Sequence, residues 1–382
     1  MNVNVESIAI SGIRRFFNKV AEVPGALSLT IGEPDFPVPQ EIKNAMIEAI
    51  NNDKTRYTSN MGLDELRKEL SNYLAKKDIH YSMEEICITV GGSEGLFSVF
   101  NALINPGDGV IIPSISYPAY ESIVKVLGGR VLNCEVNGDF TLNIESIRRI
   151  IKEHNPKVLV LSYPSNPTGA VLSNSDMEAL YEMAKNSDLI IISDEMYSAL
   201  IFDEYYSLAQ VKELKDKIIL VGGFSKMFSM TGLRIGYVCA VDVYMKQILK
   251  VHQYNVSCAP SIAQFGALEG LRKSLYHLDS VNKELKKRAD YVYRRLQGMG
   301  FEVAEPMGAF YIFPSIKKLN LCSEEFCERL LNEAKVAVVP GNAFGRAGEG
   351  YIRISYCYGM EVLKQGMDRI EEWLSKIKIC EN

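Results

Sequence analysis

The stretch Ile218 to Tyr237, I-I-L-V-G-G-F-S-K-M-F-S-M-T-G-L-R-I-G-Y, decides how this chain is read. An apolar run ends in Gly222-Gly223, then Ser225-Lys226 and a loop lead to Gly232-Leu233-Arg234-Ile235-Gly236. A short continuous apolar run closed by glycines reads as a strand covered on both faces. A lysine set just past such a strand is poorly placed for simple solvation and well placed to form an imine with an aldehyde. The Ser225 hydroxyl beside it and Arg234, eight residues on, can together hold a phosphate. A reactive amine beside a phosphate site suits an aldehyde cofactor that carries a phosphate, pyridoxal 5′-phosphate (PLP).

Working outward, the same strand type recurs at Glu85–Val90, Gly109–Pro113, Arg130–Val136, Lys157–Tyr163, Leu189–Ser193, Lys217–Val221 and Gly236–Val241. Helical patterns lie between them, at Leu63–Lys76, Glu94–Ile104, Ser175–Ala184 and Tyr244–Val251. Strands alternating with helices predict an α/β fold with an open, mostly parallel sheet. The last ninety or so residues change character: a charged helix over Val281–Met299, short alternating strands, a helix over Ser323–Ala334 and a final helix to Ile377. These predict a smaller α+β domain, which the Pro/Gly-punctuated first forty residues are expected to join. The expected division is a large domain over 44–288, with 1–43 and 289–382 forming the small one.

Composition narrows the function classes. With 382 residues the chain exceeds one ordinary core. A net charge of −5 and the absence of a dense basic run argue against a nucleic-acid partner. Eight cysteines, none in a C-x-x-C pair, point to a reducing compartment and away from a disulfide or zinc framework. The four histidines form no ligand cluster, so no metal is expected. The N-terminus lacks signal-peptide features and no apolar stretch is long enough to span a bilayer, so a cytoplasmic location without membrane contact is expected.

In a doubly wound sheet, ligands bind beyond the carboxyl ends of the strands. There the chain presents Gly91-Gly92-Ser93-Glu94 opening a helix, then Tyr117 and Tyr120, Asn166, Asp194 with Tyr197, and Ser225-Lys226. Two glycines and a hydroxyl at a helix start make an anion site from backbone N–H groups. Each residue also has an ordinary structural explanation: a helix cap for Asp194, a turn for Asn166, packing for the tyrosines, an ion pair for Arg234.

Six motifs then occur in order: G-E-P-D-F at Gly32–Phe36, Y-T-S-N-M-G at Tyr57–Gly62, P-S-N-P-T-G at Pro164–Gly169, S-D-E-M-Y at Ser193–Tyr197, S-K-M-F-S-M-T-G-L-R-I-G at Ser225–Gly236 and Y-I-R-I-S at Tyr351–Ser355. Together they resemble the class I/II aminotransferases, PLP enzymes of fold type I, nearly end to end. The segments Ser11–Phe16, Val251–Ala259 and Gly308–Lys317 further resemble a bacterial branch of N-acetyl-L,L-diaminopimelate and aromatic or aspartate aminotransferases.

The resemblance implies a ping-pong transfer of an amino group between an L-amino acid and a 2-oxo acid, with 2-oxoglutarate as acceptor. It implies Lys226 as imine-forming base, Asp194 on the pyridine nitrogen, and Asn166 and Tyr197 on the phenolic oxygen. Tyr117 would stack on the ring. Gly92, Ser93, Glu94, Ser225 and Arg234 would cradle the phosphate, and Arg353, Gly32 and Asn166 would bind substrate. Tyr57 would reach the phosphate of a second copy, which makes a homodimer part of the expectation. Glu94 departs from the Thr, Ser or Gln common at its position, so only its backbone should face the phosphate. Tyr57, Tyr117, Ile13, Phe16, Phe310 and Tyr311 are candidates for an aromatic-tolerant pocket. A C–S β-lyase on the same fold remains an alternative, although Ala170 stands where that branch tends to carry arginine. A non-catalytic PLP-binding regulatory protein is a second alternative.

Overall fold

The computed structural model describes residues 1–376. The large sheet consists of β2 (Ile86–Thr89), β3 (Gly109–Pro113), β4 (Arg130–Cys134), β5 (Val158–Ser162), β6 (Ile190–Asp194), β7 (Ile218–Gly223) and β8 (Gly236–Cys239). Their spatial order is β2-β8-β7-β6-β5-β3-β4. Only β8 runs antiparallel to its neighbours. β2, β3, β5 and β7 are buried throughout, as continuous Val/Ile/Leu runs require when helices cover both faces. Register sets Ser162 beside Asp194 and Asp194 beside Val221, so the ends of β5, β6 and β7 lie side by side.

Several boundaries differ from the sequence expectation, two of them at the site for physical reasons. β7 runs on to Gly223, because Gly222 and Gly223 still pair with Tyr237 and Gly236 of β8. The helix expected from Glu94 begins at Gly91, so the glycine turn is itself the first turn of the Gly91–Leu103 helix. The helix expected over Ser323–Ala334 changes at Leu330 from α to a wider π turn. The final helix is Met360–Lys376, and Ile377 lies outside the described residues.

The small lobe holds a three-stranded antiparallel sheet of β9 (Tyr311–Ile312), β11 (Val339–Pro340) and β12 (Ile352–Ser355), in the order β11-β12-β9. The N-terminal segment joins it: β1 (Leu27–Ser28) pairs in parallel with β10 (Val336–Ala337), and Phe16 and Leu29 enter its core. Phe16 is thus a core residue here rather than a pocket wall. The helix His277–Gly298 is continuous, and its buried apolar residues Val281, Leu285, Ala289, Val292 and Leu296 all belong to that same core. A division at 288/289 therefore falls inside one helix whose buried face serves the small lobe on both sides of that point. Among the described residues no helix is long and apolar enough to cross a membrane.

Truncating Leu285 should therefore loosen the small lobe although it precedes residue 288. Leu285→Ala is expected to cost about 2–5 kcal/mol, with faster amide exchange in segments 301–376. Loss of protection in the large sheet instead would assign this helix to the other core.

Candidate active site

Lys226 sits in the short helical turn Phe224–Met227 that follows β7. Its Nζ donates to the Gly32 carbonyl and lies 5.8 Å from the Phe310 ring centroid. Burial disfavours the ammonium and pulls its pKa from 10.5 down to about 8. Ser225 beside it is buried.

The turn at Gly91-Gly92 packs against the same strand ends. Gly91 has φ +72°, and a Cβ there would come 2.7 Å from Nη2 of Arg234. A Cβ on Gly236 of β8 would meet the Gly91 and Gly92 backbone at 2.7 Å. Glycine is needed at both places so that the start of the Gly91–Leu103 helix, the β8 end and Arg234 can crowd together. Arg234 is itself left-handed (φ 52°) and donates to the Thr231 carbonyl at 2.8 Å. It remains exposed, as does Ser93. The free N–H groups of a helix's first turn and a nearby guanidinium form an anion cradle. Glu94 keeps its carboxylate out of that turn: it accepts from the Val90 N–H, the Ser98 hydroxyl and His252.

Asp194 ends β6 fully embedded. Its Oδ2 accepts the Tyr120 hydroxyl at 2.6 Å and its Oδ1 the Met196 N–H at 3.1 Å. The second bond is a local turn cap of the kind the sequence allowed. Burial pushes the carboxyl above its ordinary value, against the pull of these two donors. No cation pairs with it among the described residues, so the site suits a ligand that brings an N–H⁺ group. Tyr117 packs edge-on against Tyr120, with ring centroids 5.7 Å apart.

Arg353 on β12 is 2% exposed. Nη1 donates to Asn166 Oδ1 at 2.8 Å, and Nη2 donates to the Thr30 carbonyl. Its guanidinium lies over Tyr311 and Phe344, 4.3 and 4.8 Å from the ring centroids. Nε is buried without a partner among the described residues. A buried guanidinium with an unused N–H is arranged to receive a carboxylate. The Tyr197 hydroxyl lies 2.9 Å from that of Tyr311, and a Cβ on Gly32 would fall 1.8 Å from the Tyr311 oxygen.

The structure thus joins Gly32 to Lys226, Asn166 to Arg353, Gly91-Gly92 to Arg234 and Tyr117 to Asp194 through Tyr120. It does not join Tyr57 to them: that ring is 88% exposed, on a loop tied back through Asn60 to Ser257 and Thr58 to Gln264. Sequence reasoning placed Tyr120 at the strand ends without a role, and Tyr311 only as a possible wall. Thr30 and His252 carried no local signal, because their partners Arg353 and Glu94 lie 323 and 158 positions away; Phe344 faces Arg353 from nearby in the chain, but nothing in its segment separates that contact from packing.

Comparison with known proteins gives the family of the chain and the likeness of its fold. The family described as aminotransferase class I and II matches residues 24–370. The chain is 43% identical to the probable N-acetyl-LL-diaminopimelate aminotransferase of Bacillus subtilis, covering 98% of this chain and 96% of the other. It is 38% identical to the aspartate aminotransferase of Pyrococcus abyssi, over 99% of each. Among solved structures, aspartate aminotransferase from Thermus thermophilus with maleate superposes with a TM-score of 0.93 at 32% identity, covering 97% of this chain and 99% of the other. The aromatic aminotransferase from Pyrococcus horikoshii gives a TM-score of 0.90 at 36% identity, over 94% and 99%. With a profile spanning most of the chain, full-length relatives and the same fold, this protein belongs to the class I and II aminotransferases and is an enzyme of that class.

Proposed function

We propose that the chain holds PLP at these strand ends and moves an amino group between an L-amino acid and a 2-oxo acid, with 2-oxoglutarate as acceptor, in two ping-pong half-reactions. The observation that carries this reading is the Lys226 amine, half-buried, its pKa lowered, and held on Gly32 between the two lobes.

The residues present fit the cofactor. The N–H groups at Gly92, Ser93 and Glu94, the Ser225 hydroxyl and Arg234 would hold its phosphate. Tyr117 would lie on the ring. Asp194, buried without a cation, would take the ring nitrogen's proton-bearing face, and Tyr120 would keep that carboxylate aimed. Asn166 and Tyr197 would hold the phenolic oxygen. PLP, when bound, supplies a carbonyl for the amino group and a ring that accepts the electron pair left at the substrate's α-carbon.

The protein's own groups do the rest. Arg353 offers its remaining N–H groups to the substrate α-carboxylate, while Asn166 and Thr30 fix the guanidinium plane. The buried Phe310 ring, packed on Tyr311, gives Lys226 Nζ an apolar neighbour. Lys226 Nζ accepts the α-proton, which a fully charged ammonium could not do; a pKa near 8 leaves part of it neutral at ordinary pH. The exposed Tyr57 supports a homodimer in which it reaches the phosphate of a second copy. The seven described cysteines are unpaired, in keeping with a cytoplasmic location. The relatives carry names from acidic, aromatic and N-acetyl-diaminopimelate chemistry, so a panel of amino donors is the way to fix the substrate.

Lys226→Ala should abolish transamination. Borohydride reduction of the PLP-treated wild type should leave cofactor mass on the Lys226 peptide. Full activity in the variant would overturn the reading. In the cofactor-free chain, acylation of Lys226 should rise with pH and be half-maximal at about 8, because burial lowers the pKa and the neutral amine appears above it. Peptide mass mapping would show this, and an inflection at the ordinary lysine value would remove burial as the cause. Arg353→Lys should raise KM for the amino donor by roughly 10- to 100-fold, since an ammonium cannot replace a bidentate fork. An unchanged KM would move the carboxylate site elsewhere.

A further inference from the structure

His252, on the helix Asp242–Val256, is 0% exposed, and its Nδ1 stands 3.1 Å from both carboxylate oxygens of Glu94. Glu94 Oε1 also accepts the Ser98 hydroxyl at 2.6 Å, and Oε2 the Val90 N–H at 3.0 Å. Burial alone would push the Glu94 carboxyl up, but the His252, Ser98 and Val90 donors outweigh it and hold the group below its ordinary value. Glu94 is therefore an anion, which accepts only, so Nδ1 of His252 carries the proton between them. The opposite ring nitrogen, Nε2, is buried with no partner among the described residues.

A helix's first turn ordinarily favours an acid, but not where the same turn is to hold a phosphate. Glu94 lies in the first turn of the helix whose N–H groups face the anion cradle. A second negative charge there would repel a phosphate and cancel part of the helix-end field. The carboxylate is bound instead by three donors from three places: the residue before the helix, the next turn of the same helix and a neighbouring helix. The Val90 bond fixes the residue from which the chain turns into Gly91-Gly92.

We propose that Glu94 and His252 form a positioning pair for the anion-binding turn. The carboxylate clamps the Val90 N–H and so sets the Gly91-Gly92 turn, and His252 engages that carboxylate so that it does not oppose the bound phosphate. The two side chains act through the turn and touch neither cofactor nor substrate; only the Glu94 backbone N–H faces the cradle. The proposal rests on the reading of the cradle as a PLP phosphate site.

The test uses the full-length chain stripped of cofactor and titrated separately with PLP, pyridoxal and inorganic phosphate. His252→Ala should weaken PLP and phosphate by roughly 10- to 100-fold, because the charged acceptor loses its interhelical donor. Pyridoxal, which lacks the phosphate, should bind as it does to the wild type. The double variant Glu94→Gln with His252→Ala should recover most of the PLP affinity, because no uncompensated carboxylate is left. Three results would overturn the pair: His252→Ala taking up PLP like the wild type, equal weakening of PLP and pyridoxal, or a double variant no better than His252→Ala. A wild-type chain that takes up no PLP would overturn the cofactor reading along with it. Normal wild-type uptake with indifferent variants would overturn the pair alone.

Discussion

A guanidinium cannot be buried without partners, and Arg353 is where three parts of this chain supply them. It stands on β12 of the small lobe, and its donors reach Asn166 in the turn after β5 and the Thr30 carbonyl in the N-terminal segment. Leaving such a charge unpaired would cost several kcal/mol. The two lobes and the N-terminal segment must therefore meet at this point. Tyr311 and Phe344 then close the guanidinium faces, which places apolar rings over the groups expected to bind substrate. The Lys226 bond to Gly32 ties the same N-terminal segment to the end of β7. Substrate recognition and the reactive amine are thus held by one junction.

The junction also explains why polar groups are concentrated at one end of a sheet that is otherwise dry. β5 and β7 are apolar along their length, and the register of β5, β6 and β7 brings Ser162, Asp194 and Val221 level. Asp194 is buried because the sheet and Tyr120 surround it. That burial costs energy unless a ligand brings positive charge. Burial thus displaces two groups in opposite directions, the Asp194 carboxyl upward and the Lys226 amine downward. Such opposed displacements are expected where a site is built for proton transfer.

Much of this was legible from residue order alone. The strands are short Val/Ile runs and the glycines mark where they end, so the sheet and the line of residues at its carboxyl edge could be read directly. Lys226, Asp194, Asn166 and Arg353 lie on local patterns that carry their own signal. Tyr120 is different: its hydroxyl meets a carboxylate 74 positions away, and nothing within its own segment separates that from packing. Tyr311 finds Tyr197 across 114 positions, and His252 finds Glu94 across 158. Such pairs depend on how helices and lobes settle against one another, which periodicity does not encode. A division at 288 cuts a continuous helix for a related reason: charge and apolar spacing along His277–Gly298 do not reveal which core its buried face serves.

Glu94 shows how the two kinds of information combine. From sequence it is a departure, an acid where a phosphate is expected, and the simplest inference is that its side chain must avoid the site. The structure supplies the means. A helix start can tolerate an acid if the carboxylate finds donors better than the ligand's own, and here it finds Val90, Ser98 and a histidine with no exposure to solvent. Removing the acid alone would leave His252 buried with neither ring nitrogen engaged. Removing the histidine alone would leave a buried anion beside the cradle. Each half costs energy without the other, so the acid and the histidine are best understood as one element, fitted to a turn that must carry negative charge brought from outside.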